Sequence, residues 1–199
     1  MQSAEIELKF PISDAAALQA RLPQIGFHLD TPRTFEHNTL YDTAGRDLRS
    51  RTQLLRIRQY GDLCTLTHKR VPEEAPGDGR YKVRIETETT VADGHALGEV
   101  FEQLGYRAVF VYEKFRTEWS HGSDRSAHLV IDETPIGNYG ELEGPPDWID
   151  RMVAELGIDP ACCLTASYGK LFLAWKEGSG STAENLTFAA ISAPALAGR

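Results

Sequence analysis

Near the start of the chain stands Glu5-Ile6-Glu7-Leu8-Lys9-Phe10. Side chains alternate along an extended strand, so Glu5, Glu7 and Lys9 share one face and Ile6, Leu8 and Phe10 the other. Two carboxylates and an ammonium on one face are groups that can hold a hard divalent cation and an anion side by side. Taken alone, such a segment reads as an amphipathic strand with a solvated face. What distinguishes it is recurrence. Arg56 and Arg58 alternate with Leu55 and Ile57; Thr65, Thr67 and Lys69 share a face; Lys82, Arg84, Glu86 and Glu88 lie opposite Val83 and Ile85. Lys114, Arg116 and Glu118 lie opposite Phe115 and Trp119, Asp132 closes a short apolar strand, and Glu141 and Glu143 flank Leu142.

A solvated sheet face is expected to carry many Thr, Ser, Gln and Asn, whereas these faces are nearly all Arg, Lys and Glu. Cations on several strands of one sheet repel each other unless anions neutralise them. The arrangement that gathers these faces is a barrel with a polar interior. Burying so many charges is costly unless they are paired or reached by water, so such a lumen points to function rather than stability. Two species fit it: a polyphosphate held by Arg and Lys, at about 1.5–3 kcal/mol per charge-assisted bond, and a divalent metal held by Glu. Strands rich in Glu and poor in His suit Mg²⁺ or Mn²⁺ better than zinc. No Gly-x-x-x-x-Gly-Lys loop is present to grip phosphate, and no Ser-His-Asp set is evident.

The elements that must position these residues follow from pattern and punctuation. Ser13 or Asp14 caps a helix carrying Leu18 and Leu22, ended by Pro23 and Gly26. Extended segments are expected around Phe35–Tyr41, Gln53–Gln59, Leu63–Lys69, Tyr81–Thr90, Val109–Ser120, His128–Asp132 and Tyr139–Glu143. Asp93 caps a second helix closed by Gly105, and Pro145 and Pro146 open a third that stops at Gly157. A last helix is expected from Thr165 to about Trp175. Val71–Gly79, rich in Pro, Gly and acid, reads as an exposed hairpin loop or lid. Beyond Glu177 the composition turns to Gly, Ser and Ala, and residues 177–199 read as a flexible, poorly packed tail without chemistry. There is also an internal echo at an offset of 79: Glu7, Asp14, Leu18, Leu22, Gly26 and Phe27 align with Glu86, Asp93, Leu97, Phe101, Gly105 and Tyr106. A repeated strand–helix–strand unit suggests one antiparallel sheet with pseudo-twofold symmetry.

Composition bounds the function classes. The 199 residues suffice for one domain with a sizeable core, and 41% hydrophobic and 25% charged content are ordinary for a globular chain. A net charge of −8 argues against a broad nucleic-acid surface. No apolar run approaches the ~18 residues of a membrane span, and the first ten residues hold two acids and no apolar signal-peptide core, so a cytoplasmic location with neither nucleic acid nor membrane as partner is expected. Cys64, Cys162 and Cys163 are odd in number and form no Cys-x-x-Cys pair, which speaks against a structural zinc or a disulfide framework.

Taken in order, Glu5-x-Glu7-x-Lys9, Leu55-Arg56-x-Arg58, Lys69, Arg84-x-Glu86-x-Glu88, Lys114-x-Arg116, Asp132 and Glu141-x-Glu143 resemble the CYTH, or triphosphate tunnel metalloenzyme, superfamily over about residues 4 to 175. Ser167-Tyr168 before an apolar helix looks like its bacterial class IV adenylate cyclase branch. The resemblance implies an α+β fold, an eight-stranded antiparallel tunnel with charged interior flanked by helices, filling residues 1–176. It implies that Lys9, Arg56, Arg58, Lys69, Arg84, Lys114 and Arg116 contact a triphosphate. It further implies that Glu5, Glu7, Glu141 and Glu143, helped by Asp132, Glu86 and Glu88, hold one or two Mg²⁺ or Mn²⁺ ions, with Glu5, Glu7, Lys9 and Glu141 at the catalytic centre. Attack by the 3′-hydroxyl of ATP on the α-phosphorus would give cyclic AMP and pyrophosphate. Attack by water would make the protein a triphosphatase for inorganic triphosphate, thiamine triphosphate or a nucleoside triphosphate. A polyphosphate binder without turnover is a third reading, against which the intact acidic set speaks. A homodimer is expected from family analogy alone.

Within this pattern, Arg58 is also a candidate for a structural ion pair with Glu86 or Glu88, and Glu88 and Glu143 for simple charge balance. His37, His68 and His128 read as packing or hydrogen-bonding residues rather than ligands. His68 and Arg70 depart from the small or apolar residues that flank the central lysine in many relatives. No pocket for an adenine ring is legible.

Overall fold

The computed structural model describes residues 2–73, 79–122 and 124–192. Eight strands, β1 (Gln2–Ile12), β2 (Phe27–Thr43), β3 (Leu54–Tyr60), β4 (Leu63–Arg70), β5 (Lys82–Thr90), β6 (Tyr106–His121), β7 (Asp124–Thr134) and β8 (Gly137–Glu143), close into a barrel in the order β1-β5-β4-β3-β2-β6-β7-β8. Every neighbouring pair is antiparallel. Closure leaves no unpaired edge. Helices α1 (Ala15–Arg21), α2 (Asp47–Ser50), α3 (Gly94–Gln103), α4 (Pro146–Leu156), α5 (Tyr168–Ser179) and α6 (Phe188–Ser192) flank it.

Period-two alternation turns this barrel inside out: charged side chains face the lumen and apolar ones face outward, beneath helices. Leu8, Phe10, Leu129, Ile131 and Leu142 form one outer core with Trp148, Ile149, Met152, Val153 and Leu156 of α4. Phe101 of α3 covers Ile57 and Cys64, and Phe172 of α5 joins Tyr112, Tyr168 and Leu186.

The echo in the sequence is a structural repeat. Asp14 and Asp93 each accept a bond from the backbone N–H three residues on, Ala17 at 2.9 Å and Ala96 at 3.0 Å. Gly26 and Gly105 both stand at φ +87°, a left-handed conformation that glycine adopts without a Cβ penalty. Exchanging β1–β4 for β5–β8 reproduces the ring order read backwards, as a twofold axis across the barrel requires. Glu5 and Arg84, themselves 79 apart, are register partners at the centre of that exchange.

Two boundaries stand out against expectation. β2 begins at Phe27 rather than near Phe35, because register shifts around Thr31–Thr34 accommodate Pro32 within a strand that would otherwise end there. The last helix starts at Tyr168, capped by Ser167, because Leu164 is drawn into a bridge with Lys9 (N to O, 2.7 and 3.0 Å). The middle of the expected Val71–Gly79 lid, residues 74–78, lies outside the described residues.

The poorly packed tail is corrected. Leu186 is fully buried and bridges Tyr112; its N–H bonds the Val111 carbonyl at 3.0 Å and its carbonyl accepts from Glu113 at 2.9 Å. Asn185 accepts from Val111 N at 2.8 Å and Glu113 from Phe188 N at 3.0 Å. One apolar residue with matching backbone bonds anchors a segment whose average composition is uninformative; residues 193–199 lie outside the described residues. Leu186→Ala should therefore cost about 2–5 kcal/mol of stability, read as a fall in denaturation midpoint; an unchanged midpoint would show that the segment is not part of the folded unit.

Candidate active site

The lumen is a cavity of about 390 Å³. Its lining gathers Glu5, Glu7, Lys9, Arg56, Arg58, Lys69, Glu86, Glu88, Lys114, Arg116, Glu141 and Glu143 from six strands. Asp132 lies buried behind it. Arg84, opposite Glu5 in register, does not line the cavity, and its guanidinium donates to the Val83 carbonyl at 2.7 Å. Among the described residues it makes no ion pair.

At one place three carboxylates converge. Glu7 and Glu143 are cross-strand partners, Glu5 is two residues along, and an oxygen of each lies within 4.8 Å of the others. No other such group of carboxylates, His or Cys occurs among the described residues. Lys69 donates to Glu5 at 2.7 Å and Lys82 to Glu7 at 2.6 Å. Burial raises the Glu7 carboxyl, but Lys82, Lys9 and Lys69 outweigh it and hold it at about 2. Glu143 is pushed up to about 7 by burial and by Glu5 and Glu7 beside it.

Beside this trio lies a lattice of ion pairs. Asp132 accepts from Lys114 at 2.9 Å, from both Arg116 nitrogens at 2.7 Å and from the Tyr168 hydroxyl at 2.6 Å. Its carboxyl lies far below the usual range, because Arg116 and Lys114 overcome the effect of burial. Arg116 also reaches Glu141 at 2.6 Å, and Lys9 contacts the other Glu141 oxygen. Burial pushes Lys9 down to about 7, against the pull of Glu7 and Asp132. Across the barrel, Arg58 pairs with Glu88 at 3.1 Å and Lys69 with Glu86 at 3.1 Å. Arg56 donates to Tyr112 and Thr67 at 3.1 and 3.2 Å, stands 3.8–4.0 Å from Glu88 and Glu86, and keeps a buried Nε without a partner.

The expected carboxylates thus divide by environment. Glu5, Glu7 and Glu143 face one another, with Glu5 and Glu7 each also holding a lysine, whereas Asp132, Glu141, Glu86 and Glu88 are engaged with cations alone. Several groups in the lining or buried behind it were not singled out from sequence. Glu36, fully buried, meets Lys114 at 3.3 Å and bonds Asn38 at 2.8 Å. Its signal was a Glu and an Asn two apart on one strand face. Lys82 was placed on a charged strand face but given no role; Tyr168 was named with Ser167 as a mark of the cyclase branch and given no place in the site. Leu40, Leu54 and Phe110 add an apolar patch that strand parity did not announce. Leu40 is the cross-strand partner of both Phe110 and Arg56, and Leu54 is two residues from Arg56 on the same face.

The family model of the CYTH domain matches residues 3–147. The chain belongs to the CYTH domain family. A Methanocaldococcus jannaschii protein provisionally named an adenylate cyclase is 28% identical over 140 residues, 70% of this chain and 75% of its own. A Vibrio parahaemolyticus structure with the same provisional name superimposes with a TM-score of 0.71 at 19% identity, covering 85% of this chain and 97% of that one. A Hippeastrum structure, described as an adenylyl cyclase candidate with a dominant triphosphatase activity, gives a TM-score of 0.58 at 23% identity over 89% and 96% of the two chains. These likenesses show the eight-stranded tunnel fold. Among the described residues no helix is long and apolar enough to cross a membrane.

The Glu36 network has a pH signature. Burial raises its carboxyl, but Lys114, Arg116 and Arg56 outweigh this and hold it at about 2, against 4.5 when unperturbed. Its ion pairs therefore add stability above about pH 4.5 and lose it as pH falls towards 2. Glu36→Gln should melt below wild type at neutral pH, with the gap closing on acidification; parallel melting curves across that window would contradict the assignment.

Proposed function

We propose that this CYTH protein is a metal-dependent enzyme acting on a triphosphate in the barrel lumen, and that its reaction is the cyclisation of ATP to cyclic AMP and pyrophosphate. The observation that carries this reading is the juxtaposition, in one closed lumen, of three facing carboxylates and a wall of Arg and Lys. Glu5, Glu7 and Glu143 fit Mg²⁺ or Mn²⁺: all donors are hard oxygens, and Glu143 is pushed up to about 7 by burial and by the two carboxylates beside it. Such an ion, when bound, supplies Lewis-acid polarisation of a phosphoryl oxygen.

The chain's own residues then have distinct tasks. Lys9, Lys69, Lys82, Arg56, Arg58, Lys114 and Arg116 bind and orient phosphate oxygens, most of them exchanging a carboxylate partner for a phosphate one. Arg56, with its unpartnered Nε and long carboxylate distances, is the cation least committed beforehand. A phosphate beside Lys9 favours its ammonium form, against the downward push of burial. Fixed cations around the phosphoryl group stabilise the charge that develops in transfer without reorganising. In the cyclase reaction the 3′-oxygen bonds to the α-phosphorus, the bond to the bridging oxygen breaks, pyrophosphate leaves and the hydroxyl proton passes to solvent. The patch of Leu40, Leu54 and Phe110 favours a substrate with an organic group, since phosphate alone has no use for it. Hydrolysis of inorganic triphosphate, thiamine triphosphate or a nucleoside triphosphate is the second reading, favoured by the wholly charged lining around the carboxylates.

The test is a product assay with Mg²⁺ or Mn²⁺ and, separately, ATP, inorganic triphosphate and thiamine triphosphate. Cyclic AMP with pyrophosphate is expected, and Glu7→Gln should abolish metal-dependent turnover while the protein stays folded. Orthophosphate released fastest from inorganic triphosphate would replace the cyclase with a phosphohydrolase, and full activity in Glu7→Gln would remove the metal assignment. Leu54→Asn, which removes apolar surface without adding charge, should weaken ATP binding at least several-fold and leave tripolyphosphate binding near wild type. Equal losses for both ligands would show that the patch is not a nucleoside contact.

A further inference from the structure

We propose that Tyr168 is a positioning residue for this site, holding Asp132 and covering Lys9 from outside the strands. The inference rests on the triphosphate reading above. Tyr168 belongs to no barrel strand: it is the first residue of α5, capped by Ser167, and it lines the cavity beside the strand residues.

Two features of its contacts exceed what packing requires. First, its hydroxyl donates to Asp132 Oδ2 at 2.6 Å, the oxygen that also receives Lys114 at 2.9 Å and Arg116 Nη2 at 2.7 Å. Burial and the neighbouring Asp132 raise the phenol well above its ordinary range, so it remains a donor. Second, the Lys9 ammonium lies 4.1 Å and the Lys114 ammonium 5.0 Å from the ring centroid, within range of a cation–π contact. The ring also stacks on Tyr112 at 5.9 Å, and the Tyr112 hydroxyl accepts from Arg56. One side chain therefore touches, directly or through one neighbour, four cations of the lumen: Lys9, Lys114, Arg116 and Arg56.

This arrangement resolves a difficulty in binding. A phosphate that draws Lys114 and Arg116 away leaves Asp132 buried and short of donors, which is costly. The Tyr168 hydroxyl is carried by α5 rather than by a barrel strand and bears no charge for the phosphate to draw away, so it keeps Asp132 bonded while the cations turn. The ring face meanwhile gives Lys9 a favourable neighbour that is not an anion, so its move from Glu141 to phosphate loses less. A phenylalanine would fill the same space and meet Tyr112 and Tyr139 as well; it could not hold Asp132. The backbone bridge between Leu164 and Lys9 and the buried Leu186 fix α5 in place, so the contact is built into the folded chain.

The experiment uses the full chain and inorganic tripolyphosphate without metal, with affinity read by calorimetry and folding by thermal melting. Tyr168→Phe keeps the ring and removes the bond to Asp132. A hydrogen bond to a charged group corresponds to roughly a 10–100-fold change in affinity, and a weakening of about tenfold or more is expected with a folded protein. Tyr168→Leu should lose several-fold more, and that additional loss should vanish in a Lys9→Met background. Wild-type binding with an unchanged Tyr168→Phe affinity overturns this inference alone; a wild-type protein that binds no tripolyphosphate removes the triphosphate reading and this inference with it. If Tyr168→Phe does not fold, 3-fluorotyrosine incorporated in place of the tyrosines preserves the ring and the hydroxyl. The fluorine signal of residue 168 should then shift on titration with tripolyphosphate, and a signal that stays fixed overturns the coupling.

Discussion

The fold depends on charge neutrality inside a closed barrel. Strand alternation commits one whole face of the sheet to Arg, Lys, Asp and Glu, and closure places that face where water is scarce. Isolated ions there would be too costly to keep; a lattice in which nearly every cation meets a carboxylate is what makes the barrel tenable. Asp132 shows this most clearly, with Lys114, Arg116 and Tyr168 all bonded to one buried carboxylate. The apolar faces point outward, so helices α3, α4 and α5 supply a core that the barrel interior cannot.

The same lattice sets the chemistry. Cations that are paired at rest are poised to exchange partners, and an anion with several oxygens can take many of them at once. The trio of Glu5, Glu7 and Glu143 is where carboxylates crowd, although Lys69 and Lys82 hold Glu5 and Glu7. Its members face each other, and the raised Glu143 carboxyl is the electrostatic trace of that crowding. One barrel therefore holds a region suited to an anion and a region suited to a cation, side by side. The C-terminal part of the chain contributes to both stability and site, since α5 brings Tyr168 to Asp132 and Leu186 anchors the segment beyond it.

Much of this was legible in the chain. Period-two alternation on β1, β3, β5 and β6 announced a charged face, and its repetition on separate strands announced the barrel. Asp14 and Asp93, with Gly26 and Gly105, marked the repeat because capping and left-handed turns restrict residue type. The ion pair between Arg58 and Glu88 was among the readings weighed from sequence and is present. Less legible were features that depend on a single contact. Composition averaged the tail into a featureless segment and hid Leu186; Pro32 masked the first half of β2; Glu36 and Asn38 were too few on their strand to declare a face.

The sequence by itself determined which side of each strand carries the charges, because side-chain parity is a local property of an extended backbone. It also determined the family, because an ordered set of charged motifs survives without coordinates. Only the tertiary structure decided which carboxylates meet each other and which meet cations. That partition depends on register between strands far apart in the chain: Glu7 opposite Glu143 and Arg116 opposite Asp132 follow from how the barrel closes, not from any local spacing.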